Sequence, residues 1–289
     1  MSKAKPTTTE AKLSFQSKEE YTCPLCGTVF RREELLSGGG RLNAGALTDE
    51  LHRLYIPSAR YGDVYPQIYL ATVCPECWFT AMDKDFEALP RPSHEKVKMD
   101  RVKRMDDVNS IFPKIDFHKQ RNLVSGTASQ YLLVRCYEFF PKEFSPTSKQ
   151  GIASLRAGWL FEEMDKKNPG QHYDWLAQLF KKKAMFFYNE AINREQTGKE
   201  NLSGLKIFGP DTDKNYGYDG FLYLTALLRY KYGFLDNPEV RAKVLEECKR
   251  TIAKIFGVGK SSKEKPGPLL ESARKLYDDL TKELNEADA

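Results

Sequence analysis

The amino-acid sequence predicts an α+β protein, in which a small zinc-ribbon-like module is followed by a mainly α domain of helical hairpins with tetratricopeptide-like packing. The N-terminal part carries two Cys-x-x-Cys pairs and short strand-like runs, whereas the C-terminal part repeats apolar residues with a helical period. We therefore divide the chain into a disordered tail (1–17), a zinc-knuckle module (18–90), a linker with a short helix (91–124) and a helical domain (125–289).

The composition allows a substantial hydrophobic core. The chain has 289 residues, of which 40% are apolar and 12% aromatic. No apolar run approaches the roughly 18 residues of a membrane span, and the polar start Met1–Glu10 lacks the apolar stretch of a signal peptide. Four paired and two solitary cysteines suit a reducing compartment, so we expect a cytoplasmic protein. The net charge of +5 permits nucleic-acid binding without indicating it.

The two cysteine pairs are Cys23-Pro24-Leu25-Cys26 and Cys74-Pro75-Glu76-Cys77, and each offers two thiolates from one tight turn. The four sulfurs of Cys23, Cys26, Cys74 and Cys77 can complete one tetrahedral zinc site with no open position, as in structural zinc sites. Redox pairs and disulfides are the alternatives, but neither pair lies in a strand-helix-strand setting. The 47 residues between the pairs exceed a usual zinc-ribbon gap, which predicts an insertion.

The strands of the zinc module follow from residues that flank the knuckles. An extended stretch leads into the first knuckle, and Val29-Phe30 is expected to return antiparallel to it. The β-branched and aromatic run Gln67–Val73 predicts a strand that enters the second knuckle. From Phe79 we expect a short helix that ends near Leu89, because two prolines follow.

Six helices are predicted in the C-terminal part, because apolar residues recur at helical spacing between stop signals. Expected caps or starts include Ser125 or Thr127, Ser148, Asp219, Asn237-Pro238 and the residues after Pro268. On the long third helix a predicted buried stripe contains Leu176, Phe180, Ala184, Phe187 and Ala191. Small residues where helices would approach closely favour tetratricopeptide-like packing, but no clean 34-residue period is present. An ordinary helical bundle is therefore the alternative.

Several features around the knuckles occur together: the segment Cys23–Phe30, the stretch Tyr65–Tyr69, the segment Val73–Phe79, and then Phe86. In this combination the chain resembles an uncharacterised bacterial family that pairs split Cys-x-x-Cys knuckles with a tetratricopeptide-like C-terminal half. Arg60 and Tyr61 also fit the family's segment between the knuckles, whereas Trp78 stands where the family often has Gly. The resemblance covers about residues 20–87 and implies the zinc site and the architecture, without an activity.

Other motifs are incomplete. Gly257–Ser262 resembles the end of a phosphate-binding loop, but Lys254 holds the position of its first Gly and a helix precedes it. Asp211–Asn215 begins like a calcium loop, but Tyr216 and Leu222 stand where Gly and Glu are required, so a polar turn is expected. The histidines are scattered, and two of them could at most replace a cysteine ligand: His52 and His94.

These observations favour a non-enzymatic protein-interaction or scaffold protein, in which one structural zinc ion stabilises a module next to a protein-binding helical domain. The alternative is a nucleic-acid-binding protein that uses the zinc module and the basic residues of 96–104. That basic segment also fits a short helix with a solvated face and an apolar stripe formed by Val102, Met105, Val108 and Phe112. An enzyme of unrecognised class is a third hypothesis, although no nucleophile-base pair is visible in the sequence.

Overall fold

Short antiparallel strand pairs, rather than one sheet, form the N-terminal part of the chain. The computed structural model describes residues 12–202, 205, 207–233, 236–256 and 266–287. The strands in these residues are β1 (Ser14–Thr22), β2 (Val29–Leu35), β3 (Ala44–Leu47), β4 (Arg53–Tyr55), β5 (Thr72–Val73) and β6 (Thr80–Ala81). β1 pairs with β2, β3 with β4, and β5 with β6. Each pair closes one hairpin, and two of the three hairpins carry a knuckle at the turn.

The β1–β2 hairpin agrees with the predicted antiparallel return, since Tyr21 lies opposite Phe30. β1 begins at Ser14, within the segment that was predicted to be a disordered tail. Residues 1–11 of that predicted tail lie outside the described residues.

The approach to the second knuckle differs from the prediction. Pro66–Tyr69 is a turn of 3-10 helix, and only Thr72–Val73 is a strand. Pro66 favours the first turn of a helix, because its fixed φ is helical. Proline lacks a backbone N–H, but an N–H at this position would have no partner within the helix. After the knuckle, Thr80–Ala81 pairs back with Thr72–Val73 before helix α1 begins at Asp83. The predicted helix from Phe79 is therefore wrong at its start, because the hairpin continues for two more residues.

The helices follow one another along the rest of the chain. They are α1 (Asp83–Phe86), α2 (Arg91–Met99), α3 (Arg101–Ile111), α4 (Leu123–Cys136), α5 (Pro146–Lys167), α6 (Tyr173–Gln196), α7 (Gly217–Tyr232), α8 (Pro238–Phe256) and α9 (Gly267–Ala287). From α4 onward each helix packs on its successor, which gives the predicted array of helical hairpins. Whether these hairpins are true tetratricopeptide repeats stays a prediction.

Two helix caps differ from the predicted ones. Asn122 caps α4 by accepting a hydrogen bond from the N–H of Ser125, whose hydroxyl accepts in return from the N–H of Asn122. This is a reciprocal capping box, so Ser125 belongs to the first turn rather than to the cap. Asp219 likewise lies in the first turn of α7, where its negative charge interacts favourably with the positive end of the helix dipole.

The predicted linker over 91–124 contains two helices, α2 and α3, with buried side chains. Val97, Val108 and Phe112 pack into a core that extends from the β1–β2 hairpin through α4 to α6. Val102 was predicted to lie in the buried stripe, but 69% of its surface is exposed. The side of α3 that faces the core carries Arg104 instead. The boundaries near residues 90 and 124 stay predictions, although one continuous core passes across them.

The insertion between the knuckles carries the β3–β4 hairpin, whose loop enters the helical array. Leu51 at the tip is buried against the core formed by α5 to α9. Next to it, Glu50 accepts a hydrogen bond from Nε1 of Trp159 in α5 (2.5 Å) and one from the hydroxyl of Tyr232 in α7 (2.9 Å). The insertion is thus fixed to the helices. None of the described helices combines the length and the apolar character that crossing a bilayer requires.

Candidate metal centre

The first knuckle is the tight turn between β1 and β2. The N–H of Cys23 donates to the carbonyl of Thr28 (2.9 Å), and the N–H of Gly27 donates back to the carbonyl of Cys23 (2.9 Å). Gly27 has a φ of 75°, in the left-handed region that glycine adopts without steric cost. This turn directs Cys23 inward and leaves Cys26 at the surface.

The second knuckle repeats this hydrogen-bond pattern between β5 and β6. The N–H of Cys74 donates to the carbonyl of Phe79 (2.9 Å), and the N–H of Trp78 donates to the carbonyl of Cys74 (3.0 Å). Trp78 takes the position of Gly27 and has a φ of 56°, which is strained for a side chain with a Cβ. Its buried indole packs edge-on against Phe117, with ring centroids 5.4 Å apart. Packing of the indole therefore offsets this strain.

The two knuckles bring the four predicted cysteines together. Their Sγ atoms all lie within 4.8 Å of one another, with Cys23 and Cys77 at 3.6 Å and Cys26 and Cys74 at 3.5 Å. A regular tetrahedron with Zn–S bonds of about 2.3 Å has edges of about 3.8 Å. All four cysteines are free thiols, since these separations are too long for disulfides. The four cysteines can therefore hold one metal ion.

Hydrogen bonds around the sulfurs prepare the site for a cation. Backbone N–H groups of Glu76 and Cys77 donate to the sulfur of Cys74, and those of Leu25 and Cys26 donate to Cys23. Hydrogen bonds with Cys23 and Cys77 lower the pKa of Cys74 well below its ordinary value, and hydrogen bonds with Cys23 and Cys74 raise the pKa of Cys77 far above its ordinary value. The hydrogen bonds thus stabilise the thiolate of Cys74 and make ionisation of Cys23 and Cys77 less favourable. A divalent cation is what allows all four to ionise together.

Helix α3 supports the second knuckle from outside. The fully buried Arg104 donates to the carbonyl of Cys77 (2.8 Å) and to that of Val97 (3.1 Å), and it forms an ion pair with Asp100 (3.1 Å). Arg101 donates to the carbonyl of Glu76 (3.0 Å). Sequence reasoning placed these two arginines on a solvated or phosphate-binding face. The sequence carries no signal for the inward role of Arg104, because the same spacing fits a solvated helix face opposite an apolar stripe.

The remaining motifs have structural roles. His52 stacks on Trp159 (centroids 4.0 Å apart), and its Nδ1 contacts Asp211 at 2.5 Å, so it is not a ligand of the cysteine site. Nε2 of His94 contacts the carbonyl of Leu89 (2.9 Å). Asp211 also accepts from the backbone N–H of Asp213 (3.0 Å), as the predicted polar turn requires. The phosphate-loop-like segment 257–262 lies outside the described residues.

Comparison with known proteins agrees with these features. Residues 16–280 match the bacterial family described as "Uncharacterized protein conserved in bacteria (DUF2225)". An "Uncharacterized protein" of Borreliella burgdorferi is 42% identical over 274 residues, which are 94% of this chain and 98% of that protein. No solved structure matches the chain. The match extends beyond the knuckles through the helical array, and the chain belongs to this uncharacterised bacterial family.

Proposed function

We propose that this is a non-enzymatic, cytoplasmic, zinc-stabilised protein that binds a partner protein through its helical domain. The first support is the donor set. Four thiolates in a tetrahedral arrangement favour Zn²⁺ or an iron–sulfur centre among biological metals, and zinc is the usual choice for a single ion held by two knuckles. All four positions around such an ion are occupied by protein sulfur, so no position is open for a substrate. A reducing compartment would keep the free thiols available.

The observation that carries the binding role is a stripe on α6 in which three of the four side chains are exposed and Leu179 is half-buried. Trp175, Leu179, Lys182 and Phe186 are spaced by four, three and four residues, so they share one face of the helix. This α6 stripe lies apart from the buried positions Phe180 and Ala184. Trp175 exposes 62% and Phe186 58% of its surface, although aromatic side chains are usually covered. The two rings lie about 16 Å apart along the helix.

The α6 stripe fits an amphipathic helix with an acidic residue at its centre. The four-three-four spacing is that of the contact positions between two packed helices. Lys182 lies between the two aromatic side chains and makes no ion pair with any residue that the structure describes. An acidic side chain of the partner would pair with Lys182, while apolar side chains one turn to either side would cover Trp175 and Phe186. Exposed Trp and Phe of this kind are enriched in binding hot spots.

Nucleic-acid binding receives less support. Segment 96–104 contains five basic residues. Of these, Arg101 and Arg104 hold the second knuckle, and Lys98 pairs with Glu95 at 3.0 Å. Few cations of the segment are left to contact phosphates. We therefore favour protein binding as the function.

Photo-cross-linking in the source cell tests the proposed surface. A benzophenone amino acid replaces Phe186 in one variant and Ile56 in the control, which is matched because Ile56 is 59% exposed. We expect a discrete adduct only from position 186, and its loss when Lys182→Glu is added. Mass spectrometry should map the cross-link to an amphipathic helix that carries an acidic residue. No adduct, an equal adduct from position 56, or a cross-link to a second copy of this chain would contradict the proposal.

A further inference from the structure

A cleft lies between the zinc module and the helical array. Its volume is about 430 Å³, which is within the range of small-molecule sites. Met82 and Asp85, which follow the second knuckle, line one wall, and Lys149, Ile152 and Arg156 of α5 line the other. The cleft shares no residue with the α6 stripe, so a ligand bound in it would be distinct from the partner protein proposed above.

Arg156 is the unusual residue of this cleft. Three cationic side chains of the described chain are buried: Arg104, Lys181 and Arg156. Arg104 is paired with Asp100, and Lys181 is paired with Glu50 and Glu162. Arg156 makes no ion pair with any described carboxylate; its Nε donates to the carbonyl of Pro210 (2.6 Å).

The guanidinium of Arg156 keeps its charge at neutral pH. Burial lowers the pKa of Arg156 only to about 10. Its Nε donates to the carbonyl of Pro210, its terminal nitrogens have no hydrogen-bond partner among the described residues, and the residue lines the cleft. A buried charge normally has a counterion, because the cost of leaving water is otherwise not recovered. The carboxylate of Asp211 acts on Arg156 from beyond ion-pair distance and offsets part of this cost, so a ligand would supply the direct ion pair that the described chain does not.

The other groups of the cleft agree with an anionic ligand that has an apolar part. Arg32 is paired with Asp83 (2.7 Å), and Lys149 is paired with Asp85, so both acidic side chains are already neutralised. The charges of Arg156 and of Lys84, which also lines the cleft and makes no ion pair with a described residue, are left over. The apolar wall continues from Ile152 to Ile207 at the rim, where 62% of the isoleucine surface is exposed.

We propose that this cleft binds a small organic anion, a carboxylate or a phosphate monoester with an apolar group. Its charged oxygens lie on the terminal nitrogens of Arg156, whose planar fork suits both head groups. Its apolar group lies along Met82, Ile152 and Ile207. The zinc module contributes directly, because Met82 is placed by the hairpin that closes the second knuckle.

Calorimetric titration of the zinc-loaded full chain tests the site with three probes of equal chain length: octanoate, octyl phosphate and 1-octanol. We expect saturable one-to-one binding of at least one anion, and the tighter of the two identifies the head group. The alcohol should bind about 10- to 100-fold more weakly, since it lacks the charge-assisted hydrogen bonds. Equal binding of the alcohol, or no saturable binding of either anion, would overturn the proposal.

Arg156→Gln tests the residue itself. The variant should bind the anion about 10- to 100-fold more weakly. Without ligand its Tm should equal or exceed that of the wild type, because an uncompensated buried charge has been removed. Lys182→Gln, on the α6 stripe outside the cleft, should leave the affinity for the anion unchanged. Wild-type affinity in Arg156→Gln would overturn the proposal.

A second pair of variants keeps the test independent of folding. Ile207→Asp at the rim should weaken anion binding by repulsion and by loss of apolar contact, and the residue is exposed enough to tolerate the change. Ile56→Asp is the matched control, because Ile56 is equally exposed and lies outside the cleft. Equal affinities in the two variants would place the ligand elsewhere and overturn the proposal.

Discussion

The guanidinium of Arg104 donates a 2.8 Å hydrogen bond to the carbonyl of Cys77, and it does so with no exposed surface. A cation is thereby placed next to a site whose four thiolates would give a bound Zn²⁺ a net charge of −2. The contact also orients the last residue of the second knuckle. α3 and the four-cysteine cluster are in this way parts of one structural unit.

Arg104→Gln should loosen the second knuckle. The change leaves Asp100 without this partner and two buried carbonyls without donors, so the free energy of unfolding should fall by about 3–5 kcal/mol. Zinc should be lost faster to a competing chelator. Arg101→Gln is the matched control, because Arg101 donates to Glu76 from an exposed position and should cost less than about 1 kcal/mol. Equal losses of unfolding free energy in the two variants would contradict the view that the buried contacts of Arg104 stabilise the knuckle.

Metal analysis should find one zinc per chain. Cys23→Ser should abolish binding and unfold the N-terminal module, since structural zinc contributes on the order of 10–16 kcal/mol of apparent binding free energy at neutral pH. Cys136→Ala is the control, because Cys136 is a buried thiol outside the cluster. It should keep the metal while losing some core packing. Folded wild-type protein without metal, or with an iron–sulfur chromophore, would contradict the prediction.

The clustering of the four cysteines could be predicted from the sequence, because the cysteine spacing within a knuckle is local. The helices of the C-terminal part could be predicted for the same reason, since their apolar period and stop signals lie within each element. What the sequence could not provide depends on distant contacts. The inward direction of Arg104 depends on a knuckle 27 residues away. The burial of Leu51 depends on helices more than a hundred residues downstream. Neither contact leaves a periodic signal in the chain.

The two faces of α6 should respond differently to truncation. Phe180 is buried and packs its ring 5.3 Å from that of Phe161, so Phe180→Ala should cost about 3–5 kcal/mol. Phe186→Ala should cost less than about 0.5 kcal/mol, because that side chain is exposed. Phe187 was predicted from the sequence to be buried, but it is only partly buried. The cost of Phe187→Ala should therefore lie between those of the other two changes. Urea unfolding of the three variants measures the order.

Gly126→Ala should destabilise the contact between α4 and the segment before the second knuckle. A Cβ at this position would lie 2.2 Å from the Cβ of Ile68, so the 3-10 turn would have to move. We expect a loss of about 1–3 kcal/mol, as for other overpacked cores. Ile68→Gly in the same chain removes that Cβ and should restore part of the loss, which makes the double variant less unstable than the sum of the two changes. Strict additivity in urea unfolding would contradict the close approach.

Glu50 should make stability depend on pH. Burial alone would raise its pKa, but Lys181 and Lys231, with hydrogen bonds from Trp159 and Tyr232, outweigh burial and lower the pKa of Glu50 below its ordinary value. A carboxylate with a lowered pKa stabilises the fold above its unfolded-state pKa, and this stability is lost as the pH falls through the folded-state pKa. At pH 7, Glu50→Gln should therefore lower the free energy of unfolding by about 3–5 kcal/mol. We expect the lower end of this range, because Lys181 and Lys231 keep other acidic partners. The difference between wild type and variant should shrink on acidification below about pH 4. Urea unfolding at pH 7, 5 and 3 measures it, and a gap that stays constant would show that Glu50 is not ionised in the folded protein.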